Sequence, residues 1–297
     1  MSYKRREFLK LTSALASGLA LTTVAGKLVG CTSANKISAS PQAFGIQLYT
    51  LREDLPKDPK GVLRQLASFG YKQIESYEGD ERGMFWGMKN TEFKSFMDEL
   101  GMKIISSHTD INKDFERKAA EAGAIGMNYL ICPYLGPQKS LDDYKKAADK
   151  FNERGEICKK NGLKFAYHNH DYSFKQLDGQ FPQDVMMAAT DKDLVDYEMD
   201  MYWVVVAGQD PVQWMNKYPN RFRLAHVKDR SKTLPETEKF ATTTLGVGNI
   251  DYPAILSAGK KQGLQYFIVE QERYDGTTPI EAARANAEYM KNLKLTV

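Results

Sequence analysis

From position 42 to the end of the 297-residue chain, short runs rich in β-branched and aromatic residues alternate with longer stretches whose apolar residues recur at helical spacing. The runs lie at 44–48, 72–76, 103–107, 129–132, 164–168, 195–200, 222–227 and 266–270. Helices are predicted between and after them, near 59–69, 91–100, 114–123, 141–160, 181–189, 211–217, 252–261 and 278–293. Such alternation is the pattern of repeated βα units around a parallel sheet. Several predicted helices stop at a glycine just before the next run, at Gly70, Gly101, Gly126, Gly162 and Gly263. Glycine in that place tolerates the left-handed turn that ends a helix. Eight units in about 250 residues is the usual size of a closed (β/α)8 TIM barrel. An open doubly wound sheet is the alternative, and it would need a glycine-rich phosphate loop after the first strand. Leu48-Tyr49-Thr50-Leu51-Arg52 offers none, and no linker interrupts the series. Residues 42–297 are therefore read as a single α/β domain, a TIM barrel.

The first forty residues do not follow this pattern. Arg5 and Arg6, flanked by Lys4 and Lys10, precede an apolar stretch from Leu11 to Ala25, the form of a twin-arginine export signal. That stretch carries Ser13, Ser17, Thr22 and Thr23 and is shorter than the ~20 strongly apolar residues of a spanning helix. Leu28-Val29-Gly30-Cys31 resembles the lipobox of bacterial lipoproteins, so residues 1–30 are expected to be a signal peptide and Cys31 the lipidated mature terminus. Residues 31–41, rich in Ser, Ala and Asn, suit a flexible tether. The expectation is a periplasmic protein that meets the membrane only through its N-terminal lipid.

Composition adds exclusions. Hydrophobic residues at 42% and charged residues at 27% are ordinary for a globular domain with a sizeable core. The net charge of +3 is small and partly N-terminal, which leaves no basic surface for nucleic acid. Three cysteines are too few for a disulfide framework, and Cys132 and Cys158 read as free, buried residues.

The candidate chemistry lies at the C-terminal ends of the strand runs, where barrels of this architecture carry their catalytic groups. Glu75 stands at the end of the second run and His108 just past the third. His168-Asn169-His170-Asp171 closes the fifth, Asp200 the sixth, and Glu270-Gln271-Glu272 the eighth. His226 is near the end of the seventh, followed by Lys228-Asp229, so all four histidines of the chain fall in this set. One such residue alone would be read as a hydrogen-bonded structural group. Their coincidence at one end of the barrel instead suits one divalent ion, Mn, Co, Mg or Zn, held by carboxylate and imidazole without thiolate.

The order His168-Asn169-His170-Asp171, Asp200-x-x-Trp203 with Gly208-x-Asp210-Pro211, His226-x-Lys228-Asp229 and Val269-Glu270-Gln271 resembles the sugar phosphate isomerase/epimerase family of xylose isomerase-like barrels. The resemblance spans essentially all of residues 42–297. It implies a mononuclear metal held by one residue from each of strands five to eight, here His168, Asp200, His226 and Glu270. The ketose epimerases of that family carry glutamate where this chain has His168, which places the chain closer to the dehydratase and keto-glycoside branches. His170 remains an alternative ligand, since alternate residues of an extended segment face the same way.

Reactions of this family share removal of a proton next to a carbonyl. The candidate bases are Glu270, His168 and His170, and Lys228 is expected either to donate to a substrate oxygen or to pair with Asp229. Glu75 and His108 are expected to contact sugar hydroxyls. Trp203, Tyr49, Phe85 and Trp86 are candidates for stacking on a sugar face or for the core. The segment Leu245-Gly246-Val247-Gly248-Asn249 contains no Lys or Arg, so a tight turn is as good a reading as a phosphate loop. The expected substrate is a small carbohydrate, an unphosphorylated keto-sugar or keto-glycoside. The competing expectation is a non-catalytic sugar-binding lipoprotein on the same barrel. Phosphodiester cleavage of the endonuclease IV type needs several metals and more histidines than this chain has. Barrels of this family often form homodimers.

Overall fold

Eight parallel strands form in the predicted places: β1 Gly45–Gln47, β2 Gln73–Tyr77, β3 Lys103–His108, β4 Tyr129–Cys132, β5 Lys164–His168, β6 Val195–Asp200, β7 Phe222–Val227 and β8 Tyr266–Val269. They neighbour one another in chain order, and β8 pairs with both β7 and β1, which closes the barrel. The helices are α1 Pro59–Phe69, α2 Asn90–Glu99, α3 Phe115–Ala124, α4 Leu141–Lys160, α5 Pro182–Ala189, α6 Met201–Val206, α7 Pro211–Lys217, α8 Tyr252–Lys261 and α9 Pro279–Asn292. This computed structural model describes residues 38–39 and 43–296. The expected signal peptide, Cys31 and most of the tether lie outside the described residues. Within the expected tether, Ser38–Ala39 pairs antiparallel with Leu295–Thr296. No helix among the described residues is long and apolar enough to cross a membrane.

Local chemistry explains the boundaries. Asp58-Pro59, Asp210-Pro211 and Thr278-Pro279 each join a capping side chain, bonded to a first-turn amide, with proline at the first helical position. The five punctuating glycines all have φ between 63° and 101°, the left-handed turn for which glycine is suited. The large apolar cluster fills the space between strands and helices, while Tyr129, Ile131, Ala166 and Leu224 form a smaller one inside the barrel. Cys132 and Cys158 are free and buried, and burial pushes both thiols up to about 12.

Two local features depart from the expected elements. Helix α6 follows β6 directly, although Met-Tyr-Trp-Val-Val-Val reads as strand by composition. It starts there because Asp200 Oδ1 accepts from the Trp203 amide at 3.1 Å and caps the first turn. Past β7, the two-residue strands Asp229–Arg230 and Thr242–Thr243 pair and hold the loop between them.

The segment Leu245–Asn249 takes the tight-turn reading, Val247 N donating to Thr244 O at 3.1 Å. Two of its amides and the one just past it close on Asp229, whose carboxylate accepts from Gly246 N at 2.9 Å, Gly248 N at 3.0 Å and Ile250 N at 3.2 Å. A Cβ at Gly248 would strike Asp229 Oδ1 and the Arg230 carbonyl oxygen. The Gly248→Ala variant is therefore expected to lose about 3 kcal/mol, the upper end of overpacking costs, because a backbone carbonyl cannot step aside. Urea unfolding measures this, and an unchanged midpoint would refute the cradle.

Candidate metal centre and active cavity

The pleat directs alternate residues of each strand inward. On β6 these include Glu198 and Asp200, both fully buried, and they meet His168 from β5, His226 from β7, Glu75 from β2 and Glu270 just after β8. Donor atoms of Asp200, His226 and Glu270 all lie within 4.8 Å of one another, as do those of His108, His168, Glu198 and His226. In the first group His226 Nδ1 is 3.0 Å from Glu270 Oε2 and 3.8 Å from Asp200 Oδ2. His168 joins it through Nε2, which lies 3.7 Å from Asp200 Oδ2. Ligands standing about 2.0–2.2 Å from one ion are spaced in this range.

Asn169 holds Asp200 in place by bracketing its backbone. Its side chain donates to Asp200 O at 3.1 Å and accepts from Asp200 N at 3.0 Å. With Oδ1 spent on the α6 cap, Asp200 Oδ2 is buried and makes no hydrogen bond. Lys228 Nζ stands 3.0 Å from that oxygen but out of line for a hydrogen bond, and 2.7 Å from Glu270 Oε2. Its third partner is Glu272 Oε1 at 2.9 Å. Lys228 does not pair with Asp229, contrary to the alternative considered from sequence, because Asp229 is committed to the glycine loop.

Buried carboxylates gather here. Glu75, Glu198, Asp200 and Glu270 are buried, and among the described residues Lys228 is the one lysine buried with them. Burial opposes charge on Lys228, but Asp200, Glu270 and Glu272 hold it well above the usual lysine range. Burial likewise works against His108, yet Glu75 and Glu198 raise it to about 9. For Glu198, burial and then Glu75 lift the carboxyl to about 7. Burial would also lift Glu270, but Lys228 and His226 bring it below its ordinary range. His168 is held well below the imidazole range by burial and by the other imidazoles around it. A carboxylate-rich set with an orphaned buried oxygen fits a divalent cation.

A cavity of about 490 Å³ opens above this floor, and His108, His168, His170 and Glu270 line it. His170 is a neutral imidazole, brought down to about 3 by burial and then Lys228, and its Nδ1 makes no hydrogen bond. Tyr134, Phe240 and Tyr49 stand at the mouth, 60%, 59% and 40% exposed, which is unusual for large apolar side chains. Tyr134, His170, Trp203 and Phe240 form one wall of ring contacts with centroids 5.0–5.4 Å apart. Phe240 is displayed by a clamp: Tyr202 Oη donates to Lys239 O and accepts from Ala241 N, each at 2.7 Å.

Burial corrects one expected sugar contact, Glu75, and decides Phe85 and Trp86 for the core. Glu75 does not reach the cavity, because it is fully buried with its oxygens engaged by Gln47, Ser106 and His226. Phe85 and Trp86 belong to the core, Trp86 donating to Ser76 Oγ at 3.2 Å, and cannot stack on a sugar. Tyr49, Trp203 and His108 do line the cavity. Sequence reading missed Glu198, although Asp196, Glu198 and Asp200 alternate with apolar residues on one face of β6. It also missed Tyr134 and Phe240, which sit in loops without periodicity.

Over residues 63–293 the sequence matches the family described as xylose isomerase-like TIM barrel. The crystal structure of a sugar phosphate isomerase/epimerase from Parabacteroides distasonis ATCC 8503 is similar at a TM-score of 0.72 and 30% identity, over 84% of this chain and 94% of that one. An inosose dehydratase of Clostridium perfringens (strain 13 / Type A) is 29% identical over 216 residues, 67% of this chain and 68% of its own length. Another, from Lacticaseibacillus casei, is 26% identical over 277 residues, 80% of this chain and 92% of its own.

Proposed function

The chain belongs to the xylose isomerase-like TIM barrel family, and from that premise we propose a divalent-metal-dependent enzyme that removes a proton next to the carbonyl of an unphosphorylated keto-sugar or keto-glycoside. The outcome is isomerisation, epimerisation or loss of water, and similarity to inosose dehydratases supports the last. One observation carries the reading. Asp200, His226 and Glu270, from the ends of three consecutive strands, bring donor atoms within 4.8 Å of one another beneath a sugar-sized cavity, and His168 Nε2 stands 3.7 Å from Asp200 Oδ2.

These four would hold the ion, which when bound supplies Lewis-acid polarisation of a carbonyl. His168 has both ring nitrogens turned to carboxylates, so it serves as a ligand and not as the base. His170 lines the cavity and is the proposed proton acceptor, through Nε2, since its Nδ1 is buried. Lys228 is buried and does not line the cavity, so in place of the expected donation to a substrate oxygen its ammonium would offset the charge of Asp200 and Glu270 around the ion. The aromatic wall would take the apolar face of the sugar. Arg5, Arg6 and Cys31 support a periplasmic, lipid-anchored location.

The test is metal content of the mature protein, followed by exchange of carbon-bound protons of keto-sugars and 3-keto-glycosides with D2O. About one divalent ion per chain, with exchange, supports the reading. Failure to bind Mn, Co, Mg or Zn on reconstitution would move it to a non-catalytic binding protein. Tyr134→Ala and Phe240→Ala are each expected to raise KM up to about tenfold with kcat little changed, since a ring contact is worth ~0.5–1.5 kcal/mol. A fall in kcat at constant KM would place these rings in the chemistry instead.

A further inference from the structure

Glu198 takes no part in the chemistry proposed above, yet it is fully buried at the centre of the histidine cluster. Its Oε2 meets three imidazole nitrogens: His108 Nε2 at 2.9 Å, His168 Nδ1 at 3.0 Å and His226 Nε2 at 3.3 Å. Its other oxygen, Oε1, is buried and makes no hydrogen bond, so the carboxylate is tied to nothing else. Glu75 completes the arrangement, with Oε1 2.7 Å from His226 Nε2 and 3.1 Å from His108 Nε2.

A neutral imidazole has one N–H, and the acceptor it faces decides which nitrogen carries it. His168 faces Glu198 with Nδ1, so the proton resides there and the Nε2 lone pair is left on the side of Asp200. His226 faces Glu75 with Nε2, which leaves Nδ1 toward Asp200 and Glu270. We propose that Glu198 is a positioning residue: it fixes the tautomer and ring orientation of His168, and so makes a histidine competent as a metal ligand at the end of β5. This rests on the ligand assignment above. The four-atom ring of His108 Nε2, Glu75 Oε1, His226 Nε2 and Glu198 Oε2 also has the spacing of a metal site. Hydrogen bonds, however, account for it without an ion: His108 and His168 donate to Glu198, and His226 donates to Glu75.

Two measurements on wild type and Glu198→Gln test this, with Glu198→Ala as a stronger change. Affinity for Co(II) and Zn(II) is read by chelator competition together with the visible Co(II) spectrum. The tautomer of His168 is read from imidazole 15N shifts of the metal-free protein, tractable because the chain has only four histidines. The expected result is a Kd raised about 10–100-fold with the Co(II) spectrum retained, and a His168 population that leaves the Nδ1–H form. An unchanged Kd and an unchanged tautomer in Glu198→Gln would overturn the proposal while leaving the metal reading intact. So would loss of a ligand from the Co(II) spectrum in Glu198→Gln while Asp200→Asn binds normally, which would put the ion in the deeper ring. If wild type binds no metal but the His168 tautomer still depends on Glu198, the metal reading fails and the control of His168 by Glu198 stands. The tautomer also decides the matter if the alanine variant does not fold.

Discussion

A protein carrying both His226→Ala and Glu270→Gln is expected to fold, to bind no stoichiometric divalent ion, and to turn over its substrate at least ~10³-fold more slowly. The size follows from the several kcal/mol that carbonyl polarisation contributes, at about 1.4 kcal/mol per tenfold in rate. Folding is expected to survive because the groups left behind keep partners. Glu75 retains Gln47, Ser106 and His108, and Lys228 retains Glu272 and the charge of Asp200. Elemental analysis of the purified variant, with kcat on the substrate found by exchange, makes the check. Full metal content in the double variant would sink the ligand assignment, whatever the rate.

Lys228→Met should act in the opposite way, on the fold before the chemistry. Lys228 is 1% exposed and balances Asp200, Glu270 and Glu272 at 3.0, 2.7 and 2.9 Å. Removing one partner of a buried ionic set leaves uncompensated charge and costs about 3–5 kcal/mol. Methionine fills much of the same space, so the loss is electrostatic and not a cavity effect. Urea unfolding of the EDTA-treated variant should show this loss. Adding a divalent ion should recover part of it, because the ion would neutralise Asp200 and Glu270. An EDTA-treated variant as stable as wild type would show that the lysine is not offsetting those carboxylates.

The barrel was legible because its signals are local and repeated. Period-two runs, helical stretches and terminal glycines each reappear, and four of the strands, among them Lys164–His168 and Val195–Asp200, fall on the predicted residues. Helix α6 escaped because its composition favours strand while its cause, the Asp200 cap, is a single hydrogen bond. The meeting of Asp200, His226 and Glu270, with His168 beside Asp200, could be expected from their strand-end positions. Reach could not. Whether Glu75 meets solvent or another buried group depends on how deep it lies in the barrel, and Gln47, Ser106 and His226 reach it before solvent does. Tyr134 and Phe240 depend on loop conformation, here the Tyr202 clamp, which leaves no periodic trace in the sequence.

The glycine loop also bears on the unphosphorylated substrate proposed above. Its amides are already taken by Asp229, a carboxylate tethered at the high effective concentration of an intramolecular partner. An incoming phosphate would have to evict it and would then leave a buried carboxylate unpaired. At the cavity itself Glu78, Asp110 and Glu272 are among the lining residues, and among the described residues no lysine or arginine lines it. An anionic ligand thus gains nothing from the loop and meets like charge at the entrance. This charge pattern supports the unphosphorylated substrate proposed above, because a neutral ring meets no such repulsion at the entrance.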